Sequence, residues 1–173
     1  KGEMIRKYFG SQYKNLKLRY VWQGLPLGTG HAAKKALPYL KERFLLMYGD
    51  DIYQMQDIKR LLRRFPSMLL GRVENPQQFG VVLTKKGCIR ELIEKPENPV
   101  GNLVNTGLYF LDTSVFQPRV RRSKRGEYEF TDYIRAWIKR KNLHAITTKR
   151  WIPISSPRGL KKAEQCLKLM RES

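Results

Sequence analysis

Residues that could bind a charged ligand occur in five short groups along the chain. Asp50 and Asp51 follow an apolar run at residues 44–48, and Glu94 with Lys95 follows a predicted strand at residues 88–93. Carboxylates bind Mg²⁺ and a lysine neutralises phosphate, and transfer reactions at phosphate depend on positioning and charge neutralisation. The other groups are Gln23 with Gly28-Thr29, Phe79-Gly80-Val81 and Asn105-Thr106-Gly107. These residue types favour a site that binds a metal ion and a ligand with phosphate groups.

The elements that must position these groups are helices alternating with short strands. Apolar residues recur at helical spacing between Ile58 and Phe65, and the run at residues 44–48 is typical of a strand buried on both faces. Further predicted strands cover residues 16–23, 68–73, 79–83, 88–93, 108–111 and 144–148, and further predicted helices cover 3–9, 29–39, 130–141 and 160–171. The alternation predicts a layered α/β sheet, in which ligands bind at the carboxyl ends of strands. With no repeat or long linker, residues 1–173 are predicted to form one domain.

Five motifs in a fixed order carry a resemblance to a known family. In chain order they are Gln23-(x)4-Gly28-Thr29, Gly49-Asp50-Asp51, Phe79-Gly80-Val81, Glu94-Lys95-Pro96 and Asn105-Thr106-Gly107. Together they resemble the sugar-1-phosphate nucleotidylyltransferases, which make nucleotide-sugars such as UDP- or dTDP-glucose. The resemblance extends from residue 1 to about residue 160. It implies a Rossmann-like layered sheet of the nucleotide-diphospho-sugar transferase type.

The resemblance also implies a role for each motif. The residues implied to bind the nucleotide are Gln23, Gly28 and Thr29. The residues implied to contact the sugar are Gly80, Glu94 and Asn105. Lys95 would contact the sugar phosphate, and Asp50 would hold Mg²⁺. The residues themselves also allow structural roles: Asp50 as a turn residue that caps the next helix, Glu94 and Lys95 as a solvated ion pair, and Gln23 as a loop anchor.

Two departures from the family pattern concern catalysis. The family begins with a strand and a glycine-rich basic loop whose backbone N–H groups wrap the triphosphate, and no such loop occurs in this chain. Near the end the family pattern resembles W-x-D-I-G-T-P-E-D-L, in which the Asp is the second metal ligand, but that position here is Pro153. Asp50 alone makes a poor Mg²⁺ site. We therefore expect a catalytically silent domain in which Asp50 and Lys95 are vestigial.

The expected lack of the first strand and Gly-rich loop also affects the sheet. A sheet without a central strand exposes unpaired edges and apolar surface. We therefore expect a partner to cover the gap: a second chain, a large RNA–protein surface or upstream residues. The sequence leaves these alternatives open.

The charge of the chain points to a polyanionic partner. There are 35 Lys and Arg against 15 Asp and Glu, so the net charge is +20, and uncompensated charge of this size repels itself. Nucleic acid is the polyanion that such proteins most often bind, and arginine suits phosphate oxygens. The predicted RNA contacts are Arg60, Arg63, Arg64, Arg119, Arg121, Arg122, Lys124, Arg125, Lys139, Arg140, Lys141, Lys149, Arg150, Arg158, Lys161 and Lys162.

These observations favour an inactive nucleotidyltransferase-like protein reused to bind RNA in a ribonucleoprotein such as the ribosome. Its expected partners are rRNA and neighbouring proteins, with no cofactor, no membrane and a cytoplasmic location. The alternative is an active, Mg²⁺-dependent enzyme, as half of a split or an incompletely recorded sugar-1-phosphate nucleotidylyltransferase that makes a nucleotide-sugar from NTP and sugar-1-phosphate. A second alternative is a regulatory protein-interaction module, which has less need of so large a charge.

Overall fold

The computed structural model describes residues 2–123, 125–154 and 157–169. The helices are α1 (Gly2–Phe9), α2 (Thr29–Lys35), α3 (Met55–Leu62), α4 (Phe130–Ile138) and α5 (Pro157–Leu169). The strands are β1 (Gln12–Tyr13), β2 (Leu16–Lys17), β3 (Arg43–Leu46), β4 (Asp51–Ile52), β5 (Ser67–Arg72), β6 (Gly80–Lys85), β7 (Cys88–Glu94), β8 (Leu103–Asp112), β9 (His144–Thr147) and β10 (Ile152–Pro153). Short 3-10 helices occur at Leu37–Tyr39, Pro76–Gln78 and Thr113–Phe116.

Within the described residues, the main sheet has six strands in the order β3-β8-β5-β9-β7-β6. The longest strand, β8, pairs antiparallel with β3, β5 and β6, while β5 runs parallel to β9. Across the sheet Gly80 pairs with Glu94, and Val81 pairs with Val104. These pairings bring three of the predicted motifs to the same place, although they are far apart in the sequence.

The two faces of the sheet are covered by different helices. On β5, Met68 and Leu70 belong to the larger hydrophobic core, which also contains Trp137 of α4, whereas Leu69 packs with Leu61 of α3 in a second cluster. Side chains that alternate along a strand point to opposite faces, so one strand contributes to both cores. This layered arrangement confirms the predicted α/β fold class.

Two predicted strands differ from the structure. Residues 16–23 do not form one strand, because β1 and β2 make a short hairpin and the chain then continues without regular structure. The strand predicted at residues 44–48 exists as β3 but is not buried on both faces. Among the described strands it lies at the edge of the sheet and pairs with β8 alone, and Leu45 is 39% and Met47 is 48% exposed. An edge of this kind has unpaired backbone groups; the expected gap in the sheet and the identity of what covers it stay predictions.

The helices are short. The longest one within the described residues, α5, has 13 residues. No described helix is both long and apolar enough to cross a membrane.

Candidate functional site

The predicted binding residues meet at a cavity of about 360 Å³ beside the junction of β6, β7 and β8. Seven of the residues that the sequence singled out for nucleotide, sugar, phosphate or metal are among its described lining. They are Thr29, Asp50, Gly80, Glu94, Lys95, Asn105 and Pro153. Gln23 and Gly28 are not in the lining, although Gly28 directly precedes Thr29.

One wall of the cavity is the pair formed by Gly80 and Glu94 on neighbouring strands. A Cβ atom at position 80 would lie 3.2 Å from Oε2 of Glu94 and 3.6 Å from Cβ of Asn105. The 3.2 Å distance is tighter than an ordinary van der Waals contact, so a side chain at position 80 would shift the Glu94 carboxylate by a few tenths of an ångström. The absence of a side chain at Gly80 therefore keeps this carboxylate in place at the edge of the cavity.

The side chain of Asn105 is held by neighbouring groups at both of its polar atoms. Its Nδ2 donates to the hydroxyl of Tyr109 at 2.6 Å, and its Oδ1 accepts from the N–H of Gly107 at 2.8 Å. Only 8% of the residue is exposed. The amide is thus fixed in orientation, and its second N–H remains for a ligand.

Lys95 follows Glu94 in a strained backbone conformation. Its φ is 45°, in the left-handed region that costs a non-glycine residue roughly 1–2 kcal/mol. A hydrogen bond from its N–H to the carbonyl of Phe79 at 3.1 Å holds this turn. Strained residues cluster at functional sites, and here the strain places an exposed lysine in the lining of the cavity.

The acidic pair lies opposite the strand that contains Pro153. Pro153 pairs with Asp51 across β10 and β4, and the N–H of Ile154 donates to the carbonyl of Asp50 at 3.0 Å. The structure therefore places position 153 beside the acidic pair, as the resemblance implies. The proline side chain supplies no ligand there. Within the described residues, no group of three or more His, Cys, Asp or Glu side chains is arranged to hold a metal ion.

The two neighbouring carboxylates differ in their surroundings. Asp51 Oδ2 accepts from Nε1 of Trp151 at 2.9 Å and from the hydroxyl of Tyr53 at 3.3 Å. Burial raises the pKa of Asp51 above its usual range, and the charge of Asp50 raises it further, against the effect of these hydrogen bonds. Asp50 is exposed and lines the cavity. Asp51 is thus committed to the protein, and Asp50 is the one available to a ligand.

The Gly-Thr-Gly motif at the start of α2 packs against the chain that enters α4. Gly28 has a φ of 100°, and a Cβ atom there would lie 2.7 Å from the carbonyl oxygen of Tyr128. Gly30 donates from its N–H to that same carbonyl at 2.7 Å, and the N–H of Phe130 donates to Oγ1 of Thr29 at 3.0 Å. Thr29 therefore satisfies an N–H group at the start of α4, where helices lack internal acceptors. The motif joins two helices at the cavity.

Gln23 anchors the loop that leads to this motif. Its Nε2 donates to the carbonyl of Gly28 at 3.0 Å and lies 3.2 Å from Nδ1 of His31. These contacts are those of the loop-anchoring role that the sequence allowed. A role of Gln23 in binding the nucleobase stays a prediction.

Several lining residues were not found by sequence reasoning. Tyr48 lies over Gly107, whose φ of 76° and lack of a side chain leave room for the ring. Trp151 contributes its indole, in edge contact with Phe79 at a centroid distance of 5.5 Å. Glu129 lies in the lining with only 8% exposure. Tyr48 directly precedes the Gly-Asp-Asp motif, and Trp151 lies two residues before Pro153, at the start of the segment that departs from the family pattern. Closeness to a motif is therefore the signal that could have identified these two residues.

Arg125 also lines this cavity, where it forms an ion pair with Glu129 at 2.7 Å. Other residues predicted to contact RNA likewise have partners within the protein. Arg60 pairs with Asp57 at 3.0 Å, and Lys141 lies 3.4 Å from a carboxylate oxygen of Asp112. The expectation from the sequence that the positive charge is uncompensated is incorrect for these three residues, because each has an acidic partner in the fold. Lys124 lies outside the described residues, as do the side chains of Arg158 and Lys162.

Relatives of known name match most of the chain. The bifunctional protein GlmU of Methanocaldococcus jannaschii is 35% identical over 96% of this chain and 41% of its own length. The UTP–glucose-1-phosphate uridylyltransferase AglF of Haloferax volcanii is 32% identical over 96% of this chain and 74% of its own length. The chain thus spans about two fifths of the GlmU relative and about three quarters of AglF.

Solved structures confirm the fold. A UDP-glucose pyrophosphorylase complexed with UDP-glucose superimposes with a TM-score of 0.82 at 22% identity, covering 97% of this chain and 77% of the other. A Bacillus anthracis protein described as a glucose-1-phosphate thymidylyltransferase gives a TM-score of 0.82 at 25% identity, covering 95% and 71%. The sheet is therefore of the nucleotide-diphospho-sugar transferase type.

These comparisons overturn one prediction from the sequence. The expected catalytically silent RNA-binding protein of a ribosome is wrong, because the relatives that match nearly the whole chain are GlmU proteins and a sugar-1-phosphate uridylyltransferase. The prediction rested on the two departures from the family pattern, the missing Gly-rich loop and Pro153, and on the net charge of +20. A charge excess is a property of the whole surface and does not identify a ligand, whereas the ordered motifs meet at one cavity.

The family can be assigned from the chain as a whole. The model of the family described as nucleotidyl transferase matches residues 1–167 of the 173. The match includes the sheet, helices α1 to α4, most of α5 and every residue of the candidate site. With the cavity built from the same ordered motifs that suggested the resemblance, the chain belongs to the nucleotidyl transferase family.

Proposed function

We propose that this chain forms the catalytic part of a sugar-1-phosphate nucleotidyltransferase. In that reaction a phosphate oxygen of the sugar-1-phosphate attacks the α-phosphorus of an NTP, and the bond to pyrophosphate breaks. The observation that carries the proposal is the meeting of the ordered motifs in one cavity. The relatives support it, since the name of AglF states that it acts on UTP and glucose-1-phosphate.

The strands β6, β7 and β8 provide groups suited to the sugar phosphate. The Glu94 carboxylate and the fixed amide of Asn105 could bind sugar hydroxyls, and Gly80 leaves room for the ring. Lys95 lies in the same lining, where its ammonium group would neutralise charge on the attacking phosphate. A positive charge at this position lowers the barrier to approach between two anionic substrates.

The residues at the other side of the cavity are compatible with a divalent cation that arrives with the nucleotide. Mg²⁺ is commonly held by one or two carboxylates together with substrate phosphates and water. Asp50 offers one exposed carboxylate, whereas Asp51 is engaged by Trp151 and Tyr53 and position 153 offers none. Asp50 would therefore hold Mg²⁺, which would neutralise charge on the phosphates; the donor set does not suit a cage made by the protein alone.

A turnover assay tests the proposal. The chain is incubated with UTP, glucose-1-phosphate and Mg²⁺, and both pyrophosphate and the nucleotide-sugar are measured. The assay is then repeated with other NTPs and other sugar-1-phosphates. We expect turnover that falls at least tenfold in Asp50→Asn and is unchanged in Glu74→Gln, an exposed acid outside the cavity lining. Turnover that Asp50→Asn leaves intact would reject the assigned role of Asp50.

A binding assay separates substrate recognition from catalysis. Trp151 lines the cavity, whereas Trp137 is buried in the core and Trp22 is 70% exposed elsewhere. Addition of a nucleotide-sugar should change the tryptophan fluorescence of the wild type, and Trp151→Phe should lose most of this change. If no nucleotide-sugar alters the fluorescence and no turnover is found, the proposed function is rejected.

A further inference from the structure

A second, larger cavity lies between β7, the loop at residues 119–123 and α4. Its volume is about 670 Å³, and it shares no described lining residue with the candidate active site. The volume is within the range of cavities that bind small molecules. The proposed function gives this cavity no role.

The lining of this cavity is strongly cationic. Among the described residues, two carboxylates lie in the lining, Glu91 and Asp132, and Asp132 is already paired with Arg135. The cationic residues come from three separate elements. They are Arg90 of β7, Arg119, Arg121 and Arg122 of the loop, Arg135 of α4, and Lys139 at the C-cap of that helix. Like charges that converge on one concave surface destabilise it unless an anion neutralises them.

Much of this positive charge is free to bind a ligand. Within the described part of the chain, the side chains of Arg119, Arg121 and Lys139 have no hydrogen-bond, ion-pair or aromatic partner. Arg90 makes one long hydrogen bond of 3.4 Å to Asn142, and Arg122 lies over the ring of Tyr128 at 5.4 Å. A guanidinium stacked on a ring still has its N–H edge available. These cations are thus not accounted for by contacts that stabilise the fold.

The geometry of the cavity selects the kind of anion. Arg135 of α4 and Lys139, the C-cap residue in helical conformation, are four residues apart and so lie on the same side. The loop arginines approach from another element. Apolar residues such as Leu92, Val120 and Ala136 also line the cavity and reduce contact with water. We propose that this cavity binds a small molecule that carries two or more phosphate groups. Guanidinium groups bind phosphate oxygens in pairs, and cations from three elements match an anion with several such groups.

The test uses inorganic tripolyphosphate as the probe, titrated calorimetrically against the whole chain in a phosphate-free buffer. The test variant combines Arg119→Ala, Arg121→Ala and Lys139→Ala, which removes three cations and leaves every observed ion pair intact. We expect its Kd to rise at least tenfold over that of the wild type. A second variant with glutamine at the same three positions should behave alike, and unfolding midpoints show that both remain folded.

Two controls distinguish binding in this cavity from general attraction to charge and from binding in the candidate active site. Lys7→Ala, Lys17→Ala and Lys41→Ala together remove the same charge from exposed positions outside this cavity, and we expect their Kd to stay within about twofold of the wild type. An equal loss in this control would show only general attraction to charge, and would overturn the proposal. Loss of binding in Lys95→Ala with retention in the test variant would place the probe in the candidate active site, which also overturns it. Absence of binding to the wild type has the same consequence.

Discussion

At the scale of single residues, the described lining of the cavity contains two kinds of side chain. Some are hydrogen-bonded within the protein, and others are exposed to a ligand. Asn105 and Asp51 each make two or more hydrogen bonds within the protein. Lys95 and Asp50 are exposed and line the same cavity. The first pair therefore holds the shape of the site, and the second pair is where charged groups of a substrate would be bound.

Lys95→Ala should lower kcat/KM for the sugar-1-phosphate by roughly ten- to a hundredfold. One charge-assisted hydrogen bond to a phosphate contributes about 1.5–3 kcal/mol, and this variant removes it while the backbone contact to Phe79 remains. Steady-state kinetics with the sugar phosphate as the varied substrate measures the effect. Lys85→Ala, an exposed lysine outside the lining, is the matched control and should be unchanged. Equal kcat/KM in the wild type and Lys95→Ala would contradict the assignment.

Tyr48 links the site to the stability of the protein at high pH. Burial, with the nearby Glu94 carboxylate, raises the pKa of Tyr48 to about 12. Because the folded-state pKa exceeds the unfolded value, the contribution to stability is complete below about pH 10 and is lost as the pH rises to about 12. Urea unfolding at pH 9 and pH 11 should show a decrease for the wild type, of the order of 1 kcal/mol from this group.

The control for this effect is Tyr48→Phe. It keeps the ring over Gly107 and removes the titrating hydroxyl, so its stability should decrease less between the two pH values. Other residues that titrate in this range contribute equally to both proteins. The same decrease in both would contradict a raised pKa at Tyr48.

At the scale of elements, the site depends on close backbone packing at two places. The Gly-Thr-Gly motif rests on residues 128–130 at the start of α4, and β8 passes directly beneath Tyr48. Both contacts join parts of the chain that are far apart in sequence. Small residues are required at these positions because a side chain would push the two segments apart.

Gly107→Ala should therefore destabilise the protein by more than about 2 kcal/mol. A Cβ atom at this position would overlap the ring of Tyr48, and its φ of 76° already disfavours any other residue. Chemical unfolding with Gly101→Ala as the comparison tests this. At Gly101 no heavy atom lies within 4 Å of the added carbon, so that change should be within about 0.5 kcal/mol of neutral. Similar effects of the two substitutions would show that the contact with Tyr48 is unimportant.

At the scale of the whole molecule, one edge of the main sheet has no neighbouring strand within the part of the chain that the structure describes. The strand β3 pairs with β8 on one side only, and Leu45 and Met47 are exposed near this edge. Unpaired strand edges with apolar side chains favour association with further strands. The expected covering of this edge, by a second chain, an RNA–protein surface or upstream residues, stays a prediction.

The chain should accordingly associate as its concentration increases, and Leu45→Lys should reduce this association. A charged side chain on an edge strand opposes pairing with another strand. Sedimentation velocity over a range of concentrations measures it, with Leu62→Lys as the control because Leu62 is 45% exposed on a helix. A wild type that is monomeric throughout, or equal effects of the two variants, would count against an exposed pairing edge.

The sequence alone predicted the fold class, and it contains the site motifs in a recognisable order. Both depend on local patterns: alternating helices and apolar runs indicate the layers, and glycine-acid and acid-lysine pairs mark strand ends. These patterns can be recognised in a single sequence because each involves only residues that are close together along the chain. The family resemblance predicts that Pro153 stands where relatives have a metal-binding carboxylate; the structure pairs this residue with Asp51, and the role of the position stays a prediction.

The partners of individual side chains were decided only by the tertiary structure. Arg125 was predicted to bind RNA but pairs with Glu129 beside the cavity, and Thr29 caps the start of α4, 101 residues away in sequence. Such pairs arise because strand pairing and helix packing bring distant segments within hydrogen-bonding distance. Net charge is a sum over the chain and contains no distances, so it could not show which cations were already neutralised within the fold.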